Sequence, residues 1–199
     1  MKILFVCTGN TCRSPMAEAL LKNNMPHAEV KSAGIFAAKN QRASKHAVQV
    51  LENKGIALNH HSQPVSEKLL NWADIVLTMT TGHKRSLIMQ FPNYQDKFYT
   101  LKEYVSDSDN QIWNDIKKLY AEYEETKMQI IQENEHKLNQ RLLEEKLKKQ
   151  LGPTIEKINQ LESSLINYDI SDPFGGEIDA YQKTLDELEE YIKLLIKKI

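Results

Sequence analysis

The sequence contains only two cysteines, Cys7 and Cys12, in 199 residues. Two thiols alone neither close a zinc site nor build a framework of structural disulfides, so they are typical of a protein of the reducing cytoplasm. The histidines, including His60, His61 and His83, have no spacing that indicates a metal ligand set, and their positions favour surface or helix-start residues. We therefore expect no metal and no cofactor.

The sequence also lacks an excess of charge of one sign and any long apolar run. It has 26 basic and 27 acidic residues, so no strong field attracts nucleic acid. Its longest apolar run has five residues, whereas a membrane-spanning helix needs about 20. The N-terminal residues lack the pattern of a signal peptide. We expect neither nucleic acid nor a membrane as a partner, and a cytoplasmic location.

The most informative stretch that is present directly follows residues 2–6, which are apolar after Lys2. It reads Cys7-Thr8-Gly9-Asn10-Thr11-Cys12-Arg13-Ser14-Pro15. This order predicts a strand, a tight loop and a helix start: Gly9 allows the turn without a Cβ clash, and Ser14 caps a helix whose first turn contains Pro15. The loop N–H groups and the helix N-terminus together predict an anion site.

The chemistry of this loop centres on Cys7 and Arg13. The guanidinium of Arg13 fits two phosphate oxygens at once. The positive surroundings favour the thiolate form of Cys7, and a thiolate in a phosphate cradle is typical of a nucleophile that accepts a phosphoryl group. From the residues alone the alternative is a buried structural cysteine in an ordinary turn.

Residues 6–18 resemble the active-site loop of the low-molecular-weight protein tyrosine phosphatase family, and most closely its bacterial branch that dephosphorylates arginine. Far downstream, Asp172-Pro173-Phe174-Gly175-Gly176 resembles the general-acid loop of that family. Residues 32–35, 73–79 and 100–104 resemble further landmarks. The resemblance covers residues 1 to about 108 and about 167 to 199.

The resemblance implies a role for each site residue. Cys7 is the nucleophile, and Asp172, rather than Asp169, protonates the leaving group and later activates water. Arg13 and the loop amides stabilise the phosphoryl oxygens. The phosphate-binding loop comprises Thr8, Gly9, Asn10, Thr11, Cys12 and Ser14; within it Asn10 and Ser14 keep the shape, and Ser14 hydrogen-bonds the Cys7 sulfur. Phe174 lines the mouth of the pocket.

Thr11 and Cys12 bear on specificity and regulation. In the tyrosine-directed members the position of Thr11 is usually aliphatic, whereas a hydroxyl can hydrogen-bond a guanidinium or the attacking water. We therefore expect phosphorylated proteins as substrates, with phosphoarginine as the target and phosphotyrosine as the alternative. Cys12 either forms a regulatory disulfide with Cys7 or is a buried structural thiol.

Two rival functions are weaker. Arsenate reductases have a similar loop, but they need further thiols, and this sequence has no cysteine after Cys12. The other rival is a phosphatase-like domain that serves mainly as an interaction module. The presence of Cys7, Arg13 and Asp172 argues against a loss of activity.

Strands and helices alternate in the parts that carry the resemblance. Apolar runs predict strands at 2–6, 29–32, 75–79 and 97–101, and helical periodicity predicts helices near 14–24, 42–54, 66–72, 83–90 and 177–198. This alternation predicts an α/β three-layer sandwich with a four-stranded parallel sheet, of the flavodoxin-like or phosphatase I-like type.

Residues 109–166 differ in composition: 20 of these 58 residues are charged, and the one glycine and one proline are adjacent. Apolar spacing predicts a long helix over 110–151, a turn at Gly152-Pro153 and a shorter returning helix. We therefore assign 1–108 and 167–199 to the phosphatase domain and 109–166 to a coiled-coil-like helical insertion. Because its apolar stripe is thin, the insertion either mediates self-association or partner docking, or is tolerated without a function.

Overall fold

The computed structural model of the protein describes residues 1–106, 110–134, 140–164 and 167–199. The chain divides into two compact units. The first comprises Met1–Val105 and Tyr168–Ile199, and the second comprises Ser106–Asn167. None of the described helices combines the length and the apolarity needed to cross a membrane.

The first unit contains one sheet of four parallel strands. These are β1 (Lys2–Cys7), β2 (Glu29–Gly34), β3 (Ile75–Thr78) and β4 (Phe98–Thr100), in the order β2-β1-β3-β4. The predicted four-stranded parallel sheet is therefore confirmed. All four strands consist largely of buried residues, because both faces of the sheet are covered.

Helices cover the two faces of this sheet. The chain contains α1 (Arg13–Asn24), α2 (Lys45–Glu52), α3 (Glu67–Trp72), α4 (Thr81–Gln90), α5 (Leu101–Val105), α6 (Asn110–Asn134), α7 (Gln140–Ser164) and α8 (Ile178–Lys198). Side chains of α1, α2 and α8 share one apolar core with the face of β1 that carries Ile3 and Phe5. Side chains of α3 and α4 share a second core with the face that carries Leu4 and Val6. The predicted three-layer sandwich is confirmed.

Two short elements are absent from the sequence-based prediction: α5 and a 3₁₀ helix at Pro92–Lys97. Each has five or six residues, which is too short for a helical period to show in the sequence.

The second unit consists of α6 and α7, which pack against each other and have 25 residues each. Ile116 and Ile130 of α6 and Leu151 and Ile158 of α7 are buried. The predicted single helix over 110–151 is wrong, because its described parts belong to α6 and α7, two helices that pack against each other. Residues 135–139 of the predicted long helix and residues 165–166, at the end of the predicted returning helix, lie outside the described residues.

The predicted turn at Gly152-Pro153 is also wrong, because both residues lie inside α7. A proline in a helix removes one hydrogen bond, and its ring normally clashes with the Cβ of the preceding residue. Gly152 has no Cβ, so this clash is relieved. Leu151 and Ile158, on either side of the proline, are both 4% exposed, and their burial maintains the helix across it.

Candidate active site

The phosphate-loop candidate lies between the end of β1 at Cys7 and the start of α1 at Arg13. It is therefore at the carboxyl edge of a central strand, where ligands of parallel sheets bind. Cys7 and Arg13 are both buried. The sequence correctly placed this loop, but the structure changes the roles of two residues within it.

The left-handed residue of the loop is Asn10, with φ of 55°, and not Gly9, whose φ is not positive. A Cβ added to Gly9 meets only the Thr11 hydroxyl oxygen, at 3.6 Å. The prediction that Gly9 relieves a clash in the turn is therefore wrong. Asparagine adopts the left-handed conformation more readily than most residues because its short amide can bond locally.

The side chain of Asn10 is fully buried and holds the loop in this conformation. Its Nδ2 donates to Ser14 Oγ at 3.0 Å and to Ser32 Oγ at 2.9 Å, and its Oδ1 accepts from the Gln63 N–H at 3.0 Å. His60 Nε2 donates to the Asn10 carbonyl at 2.9 Å. Burial lowers the pKa of His60, so the imidazole is neutral near pH 7. His60 is thus a support of the loop, which the sequence analysis missed.

Ser14 lies in the first turn of α1 and is not its N-cap, so that prediction is wrong; the N-cap is Cys12, with no side-chain cap bond. The hydroxyl of Ser14 lies 3.0 Å from Cys7 Sγ, as predicted. Because Ser14 Oγ accepts from the Asn10 amide, its own hydrogen is available to the sulfur, with the Ala33 carbonyl at 3.4 Å as the weaker acceptor. This direction of donation favours a negatively charged sulfur.

Arg13 and Asp172 form an ion pair across 159 residues of sequence. Arg13 Nη2 donates to Asp172 Oδ2 at 2.7 Å, and Asp172 Oδ1 accepts from the Phe174 N–H at 3.1 Å. The Arg13 side chain is buried, whereas that of Asp172 is about half exposed. The structure therefore brings the candidate acid to the guanidinium of the phosphate loop.

Asp169 has a different environment. Its Oδ1 accepts from both the N–H and the hydroxyl of Thr81, at 2.7 and 3.0 Å. These bonds fix Asp169 to the first turn of α4, which is consistent with the prediction that Asp172, and not Asp169, is the acid.

Thr8 is bound by a histidine that the sequence analysis did not assign to the site. Thr8 Oγ1 and His83 Nε2 form a hydrogen bond of 2.8 Å. Burial first, and then the positive charge of Arg13, lower the pKa of His83 to about 4, so its ring is neutral at pH 7. Its Nδ1 is buried and has no hydrogen-bond partner among the described residues. No local pattern links the two positions, which are 75 residues apart.

Thr11 and Cys12 are held by α2 and α8. The Thr11 carbonyl accepts from the Ser44 N–H at 2.8 Å, and the Thr11 hydroxyl lies 3.6 Å from Cys12 Sγ. Cys12 Sγ lies 3.3 Å from the Tyr181 hydroxyl, which also accepts from Ser44 Oγ at 3.0 Å. Burial raises the pKa of Tyr181. Both cysteines are free thiols in the structure.

Two exposed aromatic rings belong to the segments next to the loop. Phe174, adjacent to Asp172, is 79% exposed, and Phe36 is 74% exposed. The backbone N–H of Phe36 donates to the Thr8 carbonyl at 2.9 Å. The sequence analysis identified Phe174 but missed Phe36, which belongs neither to the loop of residues 7–15 nor to the acid-loop candidate at residues 172–176.

Among the described residues, no group of three or more His, Cys, Asp or Glu side chains is arranged to hold a metal ion.

Comparison with known proteins identifies the family. Residues 2–154 match the low molecular weight phosphotyrosine protein phosphatase family, a match that stops before Asp172. The protein-arginine-phosphatase of Bacillus subtilis (strain 168) is 38% identical over 203 aligned residues, which cover 100% of this chain and 97% of that protein.

Two solved structures are also similar over nearly the whole chain. The YwlE arginine phosphatase from Geobacillus stearothermophilus has a TM-score of 0.68 and 37% identity, covering 99% of this chain and 91% of that one. A C7S mutant of the YwlE arginine phosphatase with a phosphorylated active site serine has a TM-score of 0.68 and 38% identity, covering 100% and 95%. The chain therefore belongs to the low molecular weight phosphotyrosine protein phosphatase family.

Proposed function

We propose that this protein phosphatase hydrolyses phosphoarginine in proteins, with Cys7 as the nucleophile, Arg13 as the phosphate ligand and Asp172 as the acid and base. The observation that carries the proposal is the constellation at one loop: Cys7 Sγ lies 3.0 Å from Ser14 Oγ, and Arg13 pairs with Asp172 at 2.7 Å. The relatives named protein-arginine-phosphatase support arginine as the target.

In the first step the Cys7 thiolate attacks phosphorus and the P–N bond to the substrate guanidine breaks. Arg13 and the loop amides bind the three non-reacting oxygens. Asp172, as a neutral acid, gives its proton to the departing guanidine nitrogen. The substrate phosphoryl group takes the place of the Asp172 carboxylate on Arg13, and the exposure of Asp172 leaves room for this exchange.

In the second step water attacks the phosphocysteine and the P–S bond breaks. The Asp172 carboxylate takes a proton from the water and becomes the acid again. The sulfur of Cys7 leaves as a thiolate, and the Ser14 hydroxyl, 3.0 Å away, donates to it. Phosphate is the product, and the enzyme returns to its initial protonation state.

The preference for arginine depends on Thr11. The test is kcat/KM on matched phosphoarginine and phosphotyrosine peptides for the wild type, Thr11→Ile and Thr11→Ser. We expect the wild type to prefer phosphoarginine, Thr11→Ile to shift the ratio towards phosphotyrosine by about 10- to 100-fold, and Thr11→Ser to keep it. A wild type that is faster on phosphotyrosine supports the alternative, a phosphotyrosine-specific enzyme.

Cys7→Ser separates catalysis from a purely binding role. If the protein is an enzyme of this mechanism, Cys7→Ser abolishes turnover of both peptides while the Tm stays within a few degrees. Turnover by Cys7→Ser that matches the wild type contradicts Cys7 as the nucleophile, whereas a wild type without turnover favours the interaction-module alternative.

The free thiols support a reducing cytoplasm as the site of action. Cys7 has to be a thiolate to react, and Cys12 Sγ contacts Tyr181 and is not bonded in a disulfide. A regulatory disulfide between Cys7 and Cys12 remains the competing role for Cys12. Peroxide inactivation that thiols reverse equally well in wild type and Cys12→Ser contradicts that role.

We further propose that residues 109–166 form a separate domain that associates with a second copy of the chain. Met128 on α6 and Ile155 on α7 are exposed, at 60% and 41%. A pair of helices with so narrow an apolar stripe usually gains stability from packing against a further partner. Sedimentation of wild type and of a variant with 109–166 replaced by a short Gly/Ser linker tests this. A monomeric wild type contradicts self-association.

A further inference from the structure

One carboxylate oxygen binds both polar groups of Ser171, the residue immediately before Asp172. Glu187 Oε2 accepts from the Ser171 N–H at 3.0 Å and from the Ser171 hydroxyl at 2.7 Å. Ser171 Oγ also lies 2.9 Å from Thr184 Oγ1. Glu187 and Thr184 are both on α8. This helix therefore holds Ser171 by hydrogen bonds at the start of the candidate acid loop.

The second oxygen of Glu187 is held by a buried cation. Lys102 Nζ lies 2.6 Å from Glu187 Oε1, and Lys102 is only 7% exposed. Burial raises the pKa of Glu187, but the hydrogen bonds from Lys102 and Ser171 outweigh it and lower the pKa below 4.5. Glu187 is therefore ionised at neutral pH, and its charged form makes all of these bonds.

The residues before Ser171 are bonded to the segment that follows β3. The Ile170 N–H donates to the Met79 carbonyl at 2.8 Å, and Asp169 is bound by Thr81. Ser171 and Asp172 are both exposed. Ser171 is thus an exposed residue that hydrogen bonds hold to α8 immediately before Asp172.

We propose that Glu187, braced by Lys102, is a positioning residue that fixes how far the Asp172 carboxyl reaches towards the leaving group. The inference rests on the proposed role of Asp172 as the acid. The Cα atoms of Ser171 and Asp172 are about 3.8 Å apart, so loss of the bonds that hold Ser171 to α8 loosens the backbone directly next to the residue that carries the carboxyl. A shift of about 1 Å at a catalytic group lowers the rate by about 100-fold.

The experiment measures kcat/KM of the full chain on aryl phosphates whose leaving phenols differ in acidity. Poor leaving groups need a proton from the acid, whereas good ones do not. We expect Glu187→Gln to lose about 10- to 100-fold with the poorest leaving group and less than about 3-fold with the best. This steeper dependence should match that of Asp172→Asn, and adding Glu187→Gln to Asp172→Asn should change little.

Glu189→Gln is the matched control. Glu189 lies on the same helix and pairs with Lys54, which lies outside the acid loop. We expect this variant to keep the wild-type leaving-group dependence. Ser171→Ala removes one of the two bonds to Glu187 and leaves Lys102 paired, so it should give the same pattern at a smaller size even if Glu187→Gln folds poorly.

The outcomes separate the inference from the function on which it rests. If Asp172→Asn does not steepen the leaving-group dependence, the assignment of Asp172 as the acid is overturned. If Asp172→Asn does and neither Glu187→Gln nor Ser171→Ala does, the positioning role alone is overturned. A uniform loss with all substrates, additive with Asp172→Asn, means a general structural role and also overturns the inference.

Discussion

Gly34→Ala tests how closely the second strand approaches the phosphate loop. Gly34 ends β2 and lies beside Cys7 in the parallel pairing. A Cβ built on Gly34 would lie 2.6 Å from the Thr8 carbonyl oxygen and 2.8 Å from the Asn10 nitrogen. Both atoms belong to the backbone of the loop, so neither can rotate away as a flexible side chain does. The position needs glycine because of this close approach.

The distances set the size of the effect. The Thr8 oxygen would have to move from 2.6 Å to an ordinary contact of at least 3.4 Å, a displacement of about 0.8 Å. Overpacking of this kind destabilises a fold by about 1–3 kcal/mol. A shift of this size in the loop that carries Cys7 should lower kcat/KM by about 10- to 100-fold.

The assay combines kcat/KM on a phosphopeptide, the inhibition constant of inorganic phosphate and the Tm. Gly82→Ala is the control for activity, because a Cβ there meets only Thr80 Oγ1, at an ordinary contact distance of 3.6 Å. Gly9→Ala is the control for stability, and we expect its Tm to stay close to that of the wild type. The reasoning is refuted if Gly34→Ala keeps its kcat/KM and phosphate affinity within about twofold of wild type, since a 0.8 Å shift predicts far more.

Three further predictions concern the supports of the loop. Asn10→Ala should lower the free energy of unfolding by about 2–4 kcal/mol in urea denaturation, because the buried groups that bond the Asn10 amide lose their partner and residue 10 keeps its positive φ. A loss below about 0.5 kcal/mol contradicts the bracing role. Ser14→Ala should slow hydrolysis of the phosphocysteine more than its formation, seen as a larger burst of phenol; equal slowing of both steps argues against donation to the Cys7 sulfur. The pKa of His83 is about 4 in the fold against 6.5 in the unfolded chain, so the unfolded chain takes up the proton first and stability falls from pH 6.5 towards pH 4. His83→Gln should flatten that part of a Tm-against-pH curve, and an unchanged slope contradicts the low pKa.

The sheet and the position of the loop could be predicted from sequence because the signals are local. Runs such as residues 3–7 are apolar throughout, as a strand buried on both faces requires. The glycine and the polar residues that follow Cys7 mark a turn before a helix. Together they place Cys7 at the carboxyl edge of the sheet without any knowledge of distant contacts.

The supports of the site could not be predicted because their signals are not local. His60, His83 and Tyr181 contact the loop from at least 50 residues away. Each has an equally good local explanation, as a surface, helix-start or core residue. Gly34 is similar, because position 34 requires glycine on account of the nearby Thr8 carbonyl and not on account of its own φ.

The error at Gly152-Pro153 shows how tertiary packing overrides a local helix-breaking signal. A Gly-Pro pair is a strong turn signal in an isolated peptide. In α7 the apolar residues Leu151 and Ile158 are buried on either side of it, and the burial of two such side chains is worth about 3–6 kcal/mol. A proline inside a helix costs about 3 kcal/mol, which this burial offsets, so the helix continues.

In the proposed mechanism the ion pair of Arg13 and Asp172 links phosphate binding to acid catalysis. An oxygen of the Asp172 carboxyl lies 2.7 Å from the guanidinium and so occupies a position that a phosphoryl oxygen takes when substrate binds. When the phosphoryl group binds Arg13, its oxygens displace the carboxyl, which can then reach the leaving group. Substrate binding thus releases the proposed acid from its ion pair for the first step. The guanidine departs with the proton of Asp172, so the carboxylate that remains is the base that the water of the second step needs.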